Sequence, residues 1–470
     1  MDESIADLRE RRHRGFLARG MAFAVTSGVC YGLYTGFLTL AETQGPWRAW
    51  LDGTAGLPAF TVTFALAALA AGLNDAWSGV WALLDCARNG QLRDFWKVLH
   101  SRPGGVMVLC AVIGGPFATV CYVVGLNFAT LAEHPGMIVP IAALNCAIGA
   151  ILGRLLFKQE LASHTVLGII ICLVAGSFIG GASISSIGFG VLTGCVFAFF
   201  AAFGWGFEGC VAGFGTVLID YRIGIAIRQC TAGILELFVV FPLLTMIGGA
   251  PVGVGGLLGE AMCNSSLLIF AVSGFFAMPA YSFWYKGNSM CGTALGMACN
   301  GMYAFWGPFF IWLILGILNV GGMSASYPPL SAAQWVGAVV MVVGIFCIAV
   351  NPVDVLYGHW RGANARGLKV RETHGLEPLY YAIVRHFADG RDDCVAGVIG
   401  ALGHDYYGYK LLNQHYVEEA LATAKENGLL EEVRCDLDNA RKLRVWYKMS
   451  DFGHDMVKRY LEPCSRESAN

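Results

Sequence analysis

Long apolar stretches restrict what this chain can fold into more than any other feature. Ten stretches of about 20 residues, enough for a helix to cross a bilayer, can be drawn before Trp360. They lie at roughly 16–41, 58–85, 104–130, 134–157, 163–182, 189–212, 220–247, 265–286, 290–317 and 332–351. Inside lipid every backbone polar group needs an internal partner, so the spans should be helices. The sequence predicts an all-α membrane protein with ten transmembrane helices.

The distribution of charge separates a membrane body from a soluble tail. Only 14% of the 470 residues are charged, whereas soluble proteins carry about 25%. Of the 31 basic and 33 acidic residues, 16 and 17 lie between Trp360 and Asn470. The net charge of −2 gives no general attraction to nucleic acid.

Basic residues also predict the orientation. Arg9 to Arg19 precede the first span, and basic residues follow the even-numbered spans at Arg88 to Arg102, Arg154 and Lys158, Arg222, and Lys286. Loops after odd-numbered spans are almost free of Lys and Arg, apart from Arg48. Because basic loops stay inside, a multi-pass protein of the cell (inner) membrane with both termini in the cytoplasm is expected.

Short motifs recur in the same order in two halves of the body. Tyr31-Gly32-Leu33 corresponds to Trp205-Gly206-Phe207, the segment 122–127 to 283–288, and the segment 161–168 to 330–337. After a cytoplasmic segment, 1–15, the halves are 16–182 and 183–351. Since each has five helices, the second enters from the opposite side, an inverted repeat typical of secondary transporters.

At these residues the chain resembles the drug/metabolite transporter superfamily, in particular its EamA-like ten-helix members. The resemblance extends from Phe16 to Asn351 and is most specific in the aromatic-Gly turns and in the segment from Pro140 to Gly168. The second half departs from the pattern, because helix nine has no early proline and its connection to helix ten is uncharged. The resemblance implies a central cavity lined by helices one, three, four, six, eight and nine, and leaves the substrate open.

Polar and aromatic side chains within the spans are the candidate substrate-binding or coupling residues. A charge at the bilayer centre costs about 2.5–3.5 kcal/mol, so each needs a partner or a function. Asn127 and Asn288 are pseudo-equivalent and are expected near the inner ends of helices three and eight. The candidates are Tyr31, Tyr34, Asp75, Asn127, Glu208, Arg228, Glu236, Asn300, Tyr303 and Trp306.

The charged candidates leave alternatives open. Arg228 either extends to the cytoplasmic headgroups or pairs with Glu208. Glu236 lies on the same helical face as Arg228 and is either a proton- or cation-binding group or a protonated structural acid. Asp75 either caps a kink near Gly72 or faces the cavity.

No motif predicts an enzyme, a cofactor or a metal site. The glycine-rich segment 253–259 lacks the Lys and the strand of a phosphate loop, and clustered Cys/His ligands are absent from the sequence. The expected partners are a small-molecule solute and the lipid bilayer.

The tail predicts a linker, 352–375, and a small α+β domain, 376–463. Helices near 376–387 and 413–427, the latter ended by Gly428, precede alternating segments at 429–437 and 442–449 and a helix capped by Ser450. This order resembles a winged-helix domain. The helix that would enter a DNA groove carries Glu418, Glu419 and Glu426, so a homodimer or cytoplasmic protein partner is favoured over DNA.

Two functions fit these features. The first is a secondary transporter of a small organic metabolite or drug-like solute, working by alternating access, with proton coupling as an option. The second is a membrane sensor that binds a ligand and signals through the tail. Net solute flux separates them.

Overall fold

The computed structural model describes residues 5–131, 138–157, 163–180, 189–215, 218–291, 296–297, 300–320, 322, 332–349, 377–437 and 442–461. The predicted linker, the turn at 438–440 and the motif residues Lys158 to Leu161 lie outside them. The helices that precede the tail are α1 Ile5–Glu42, α2 Gly45–Leu51, α3 Leu66–Arg88, α4 Leu92–Leu99, α5 Arg102–Val112, α6 Ala118–Leu131, α7 Ile138–Ala142, α8 Asn145–Phe157, α9 Ser163–Gly180, α10 Phe189–Gly215, α11 Tyr221–Leu235, α12 Phe241–Gly248, α13 Gly253–Met262, α14 Ser266–Cys291, α15 Tyr303–Ile311 and α16 Ala332–Ala349.

Five helical segments among the described residues are long and apolar enough to cross a membrane. They are Ile5–Glu42, Arg102–Gly125, Leu192–Val211, Tyr221–Gly248 and Ser266–Cys291. Large apolar side chains on their outer faces are exposed, among them Phe238, Met246 and Leu268. An apolar exterior of this extent suits a lipid environment. Two shorter apolar helical segments, Phe305–Ile317 and Trp335–Gly344, lie within other predicted stretches.

Small residues let the helices approach closely. A Cβ atom at Gly32 of α1 would lie 2.5 Å from Cβ of Trp306 on α15, and one at Gly287 of α14 would lie 2.8 Å from Cβ of Ala24 on α1. Helix association in lipid depends on such packing, because lipid tails are as apolar as the side chains themselves. α1 therefore packs against both α14 and α15.

Besides the π turn Thr61–Ala65 just before α3, three widened π turns interrupt the described helices that precede the tail, at Ile113–Phe117, Glu236–Val240 and Trp312–Ile317. Proline lies in or near each of them: Pro116 within the first, Pro242 just after the second and Pro308 before the third. A proline lacks the N–H of the regular ladder, and π turns of this kind are frequent at functional sites. Two of the three turns border the ionic cluster described below.

The predicted N-terminal segment, 1–15, is helical from Ile5 onward and continuous with the first span, since α1 begins at Ile5. The helix extends beyond the predicted span because its first turns carry Arg9, Arg12 and His13, which form ion pairs with the tail. Sequence periodicity within the segment gives no sign of this long-range contact.

The described part of the tail, 377–461, is called the tail domain. It contains α17 Leu379–Arg385, β1 Asp393–Cys394, α18 Val395–Leu402, α19 Gln414–Glu426, β2 Leu430–Leu437, β3 Leu443–Met449 and α20 Asp451–Met456. The strands form an antiparallel sheet in the order β1-β3-β2. Its register pairs Leu430 with Met449 and Cys394 with Trp446.

Local signals in the tail sequence are confirmed. Gly428 follows α19 with a φ of 76°, as expected of the residue that ends a helix. The Ser450 hydroxyl accepts a hydrogen bond from the Gly453 amide at 2.9 Å and caps α20. The predicted strands coincide with β2 and β3, because their alternating pattern places Val445, Tyr447 and Met449 on the buried face.

Candidate functional site

A buried arginine forms the centre of the site. The Arg228 side chain lies on α11 and is completely inaccessible to solvent. Its Nε donates to Glu208 Oε1 on α10 at 3.0 Å, and its Nη1 donates to Asp75 Oδ2 on α3 at 3.0 Å. Both carboxylates are also fully buried. The alternative in which Arg228 extends to the headgroups is therefore wrong, and pairing with Glu208 is confirmed.

Other groups complete the surroundings of the guanidinium. Nη2 donates to the Gly114 carbonyl at 3.0 Å, and Nη1 also donates to the side-chain oxygen of Gln229. The guanidinium carbon lies 4.1 Å from the centre of the Tyr281 ring, in a cation–π contact. The two carboxylates, the Gly114 carbonyl and the Tyr281 ring together hold the Arg228 guanidinium in one orientation.

The two carboxylates have further partners that tie four helices together. The Tyr285 hydroxyl on α14 donates to Glu208 Oε1 at 2.9 Å, and Asn74 Nδ2 donates to Asp75 Oδ1 at 3.1 Å. Ser273 Oγ donates to Asn74 Oδ1 at 2.7 Å. Hydrogen bonds to charged groups are among the stronger ones, so this network fixes α3, α10, α11 and α14 relative to one another.

Gly114 lies where only glycine fits. A Cβ atom at this position would overlap Glu208 Oε2. The Gly114 carbonyl, within the π turn at Ile113–Phe117, accepts from Trp205 Nε1 at 2.9 Å as well as from Arg228. The π turn thus brings a backbone acceptor into the ionic cluster.

A small cavity lies beside this cluster. Its volume is about 10 Å³, room for about one water molecule. It is lined by Tyr31, Asn145, Trp205, Ala280, Tyr281, Trp284 and Asn300. Tyr281 belongs to both the cavity and the ionic cluster, because it also contacts the Arg228 guanidinium. The walls combine aromatic faces with two amide side chains, a composition suited to an organic solute.

Most of the predicted aromatic residues gather around Tyr31. Its ring stacks on Tyr303 with centroids 4.2 Å apart and contacts Tyr34 at 4.5 Å. Asn300 lines the cavity and donates to the Ser27 hydroxyl at 2.6 Å. Trp306 instead packs against Gly32 between α1 and α15.

The expectation that Asn127 and Asn288 lie near the same end of the bundle is wrong. Asn127 Nδ2 donates at 3.5 Å to the carbonyl of Thr63, just before α3 begins. The opposite end of α3 reaches the tail domain, since Lys410 donates to the Arg88 carbonyl, and Lys286 beside Asn288 also contacts the tail domain. The predicted topology explains this, because equivalent positions of inverted copies lie at opposite ends.

Glu236 takes no part in the ion pairs of the cluster. It is completely buried at the start of a π turn, between Gly72 of α3 and Gly115. Neither of its carboxyl oxygens has a hydrogen-bond partner among the described residues. A buried polar group in this state requires a physical explanation.

Sequence reasoning missed several members of the site. Trp205, Tyr281 and Trp284 are not among the predicted site residues, yet they line the cavity. Trp and Tyr are also common at membrane interfaces, so residue type alone does not mark them. Asn145 follows the Pro140 motif, but no sequence pattern marks it as a site residue. Gln229 is adjacent to Arg228 in the sequence and likewise matches no pattern of its own. Among the described residues, His, Cys, Asp and Glu form no group of three or more that could hold a metal ion.

The tail domain docks on one end of the bundle through ion pairs. Arg12 pairs with Glu418 at 3.0 Å and Lys286 with Glu419 at 2.8 Å. The Tyr416 hydroxyl donates to Asp220 Oδ2 at 2.7 Å. Burial, followed by the nearby Asp220 carboxylate, raises the pKa of Tyr416 well above its ordinary value, so the hydroxyl remains a donor.

A further contact of the docked helix involves Glu426 and His13, whose atoms lie 3.2 Å apart. Burial opposes ionisation of Glu426, but hydrogen bonds from His13 and Lys425 outweigh it and lower the pKa of this carboxyl. The ionised form of Glu426 is therefore the one stabilised when the tail domain is docked.

Replacement of Arg228 by Gln should destabilise the protein strongly. It leaves Glu208 and Asp75 buried without their cation, and breaking a buried pair in this way costs about 3–5 kcal/mol. Asp75→Asn and Glu208→Gln should cost less, because Arg228 then keeps one carboxylate. The midpoint of thermal unfolding in lipid nanodiscs measures the difference.

Arg14→Gln is the matched control, since Arg14 forms an exposed pair with Glu10. Such pairs contribute about 0–1 kcal/mol, so this variant should unfold like the wild type. Equal midpoints for Arg228→Gln and Arg14→Gln would contradict the assigned role of the cluster.

Comparisons with known proteins identify no family. Neither a family model nor a curated protein matches the chain. A solved structure described only as "Crystal structure of protein" is similar over 72% of this chain and 99% of its own, with 17% identity and a TM-score of 0.47. A similarity at this level carries no conclusion about function.

Proposed function

We propose that this protein is an integral membrane secondary transporter of a small organic metabolite or drug-like solute. The observation that carries the proposal is the small aromatic and amide cavity beside the buried Arg228 cluster. Buried ionic groups are costly in a membrane and typically mark substrate or ion pathways. The transporter works by alternating access between the halves 16–182 and 183–351, as in EamA-like members of the drug/metabolite transporter superfamily.

The helix contacts support an inverted repeat. In the ten-span assignment, each span has a counterpart in the other half, five places away. Replacing both helices of a contact by their counterparts turns the contact of α1 with α14 into that of α10 with α6. It likewise turns α1 with α15 into α10 with α8, and α14 with α3 into α5 with α11. The contacts of α3 with α11 and of α9 with α16 map onto themselves. This is the pattern expected of two related five-helix units.

The cavity of the described state is too small for the proposed solute. A space for about one water cannot hold an organic solute, whose sites measure about 300–1,000 Å³. Entry therefore requires the halves to separate, first on one side and then on the other.

The orientation follows from the positive-inside rule. The end that carries Arg9, Arg12 and Lys286 faces the cytoplasm, together with the tail domain.

Reconstituted protein should carry one class of solute across a membrane. The measurement is uptake of a mixed metabolite panel into proteoliposomes, with and without a pH gradient. Asn145→Ala should lower the uptake efficiency about tenfold, or about 1.4 kcal/mol, because a cavity amide no longer contacts the solute.

Phe238→Ala is the control for this variant, because Phe238 is 68% exposed on the outer face and lines no part of the cavity. It should transport like the wild type. Equal loss in both variants would place the binding site elsewhere, and the absence of flux from folded protein would reject transport.

A membrane sensor is the second candidate, and the docked tail domain favours it. Helix α19 contacts the N-terminal part of α1, which continues into the first half, through Glu418, and α14 of the second half through Glu419. Any motion of one half against the other is therefore transmitted to the tail. The order of helices and strands supports a winged-helix-like domain, but DNA would have to compete for α19 with the membrane body.

An exchange of charges tests this docking. Lys286→Glu should repel Glu419 and increase amide hydrogen exchange in α19, whereas adding Glu419→Lys should restore protection. Hydrogen exchange with mass spectrometry on the full chain measures both. Unchanged exchange in the single variant would mean that the ion pair does not hold the domain.

Sensor and transporter then differ in one result. A sensor should show ligand-dependent exchange in α19 without net flux. In a transporter, solute flux should persist whether or not the charges of Lys286 and Glu419 are swapped.

A further inference from the structure

Glu236 is a buried carboxyl group that the ionic cluster does not use. It is inaccessible to solvent, and its oxygens have no hydrogen-bond partner among the described residues. Transfer of an unpaired carboxylate from water to an apolar interior is so costly that the group takes up a proton instead. From the sequence alone this residue has two possible roles, a proton- or cation-binding group or a protonated structural acid.

The neighbouring charges do not supply a counterion of its own. Of the elements packed against the turn Glu236–Val240, α3 contributes Asp75 and α11 contributes Arg228, while α12 and the turn Ile113–Phe117 contain no titratable residue. Arg228 already binds Asp75 and Glu208. Three carboxyl groups therefore share one guanidinium, and full ionisation would leave two uncompensated negative charges.

Geometry joins Glu236 to that cluster. A Cβ atom on Gly115 would lie 3.7 Å from Glu236 Oε1, and the carbonyl of the preceding Gly114 accepts from Arg228. On the other side, a Cβ atom on Gly72 would lie 3.1 Å from Glu236 Cβ, one helical turn before Asp75. A charge that appears on Glu236 therefore acts directly on the Arg228–Asp75 pair.

We propose that Glu236 is a proton-binding site whose ionisation redistributes Arg228 between Glu236 and Asp75. In the described state the carboxyl group holds its proton, and Arg228 binds Asp75 and Glu208. When the proton leaves to water, the new carboxylate attracts Arg228 and weakens its pair with Asp75. Because that pair joins α3 to α11, loss of one proton loosens a contact between the two halves.

The site itself can be tested without transport. Infrared difference spectra between about pH 6 and about pH 9 detect a buried acid, because exposed carboxyl groups are ionised at both values. Wild-type protein should gain the carbonyl band of a protonated carboxylic acid at the lower pH. The exposed control Glu260→Gln should keep the band, and Glu236→Gln should lose it.

Several results would overturn the proposal. A band that survives in Glu236→Gln would assign the proton to another group. A carboxyl group protonated at both pH values would give no band and would mean a purely structural acid. Loss of the band on addition of Na⁺ at fixed pH would indicate a metal-cation site.

A second measurement covers the case in which Glu236→Gln fails to fold. A lipid-soluble carbodiimide reacts with protonated carboxyl groups, and mass spectrometry locates the adduct on wild-type protein. Labelling of Glu236 should fall as the pH rises, and labelling confined to other carboxyl groups would overturn the proposal.

The use of this proton in coupling rests on the proposed function. Folded Glu236→Gln should still exchange solute across the membrane, but its accumulation under a pH gradient should fall to a ratio of about one. Wild-type accumulation in Glu236→Gln would overturn the coupling role. If the wild type transports nothing, the proposed function fails. The infrared result then still decides whether Glu236 binds the proton.

Discussion

The ionic contact between Arg228, Glu208 and Asp75 is the interaction on which the membrane body depends. Desolvation of these charges costs several kcal/mol for each ion, and only close pairing with further hydrogen bonds compensates. The protein meets this requirement with partners from α3, α10, α14 and a π turn. The cluster thereby specifies which helices are neighbours. In lipid the hydrophobic effect cannot specify this, because lipid tails are as apolar as the side chains.

Under the proposed function, this same contact also makes the site suited to movement. Asp75 and Glu208 share one guanidinium, so a change in the charge of either carboxylate changes the pairing of the other. Tyr281 connects this pairing to the cavity, since its ring contacts the guanidinium and also lines the cavity. A change in the charges would thus alter the shape of the cavity.

The sequence predicted local features well and long-range contacts poorly. The ends of the tail helices at Gly428 and Ser450 follow from backbone chemistry within a few residues, so the sequence alone was sufficient. The pairing of Arg228 with Glu208 was one of two options, because helical periodicity gives a face but not the neighbouring helix. The Asp75 contact and the extension of α1 to Ile5 depend on segments far apart in the chain, and no local pattern contains them.

Alternating access around the cavity is tested most directly by its accessibility from the two sides of a membrane. Ala280 lines the cavity and is small, so Ala280→Cys introduces a thiol there with little disturbance. The measurement is modification of this residue by an impermeant maleimide in right-side-out and in inside-out vesicles, located by mass spectrometry. Alternating access predicts modification from both sides, with slower modification when a bound solute occupies the cavity. Modification from one side only, or from neither, would contradict it.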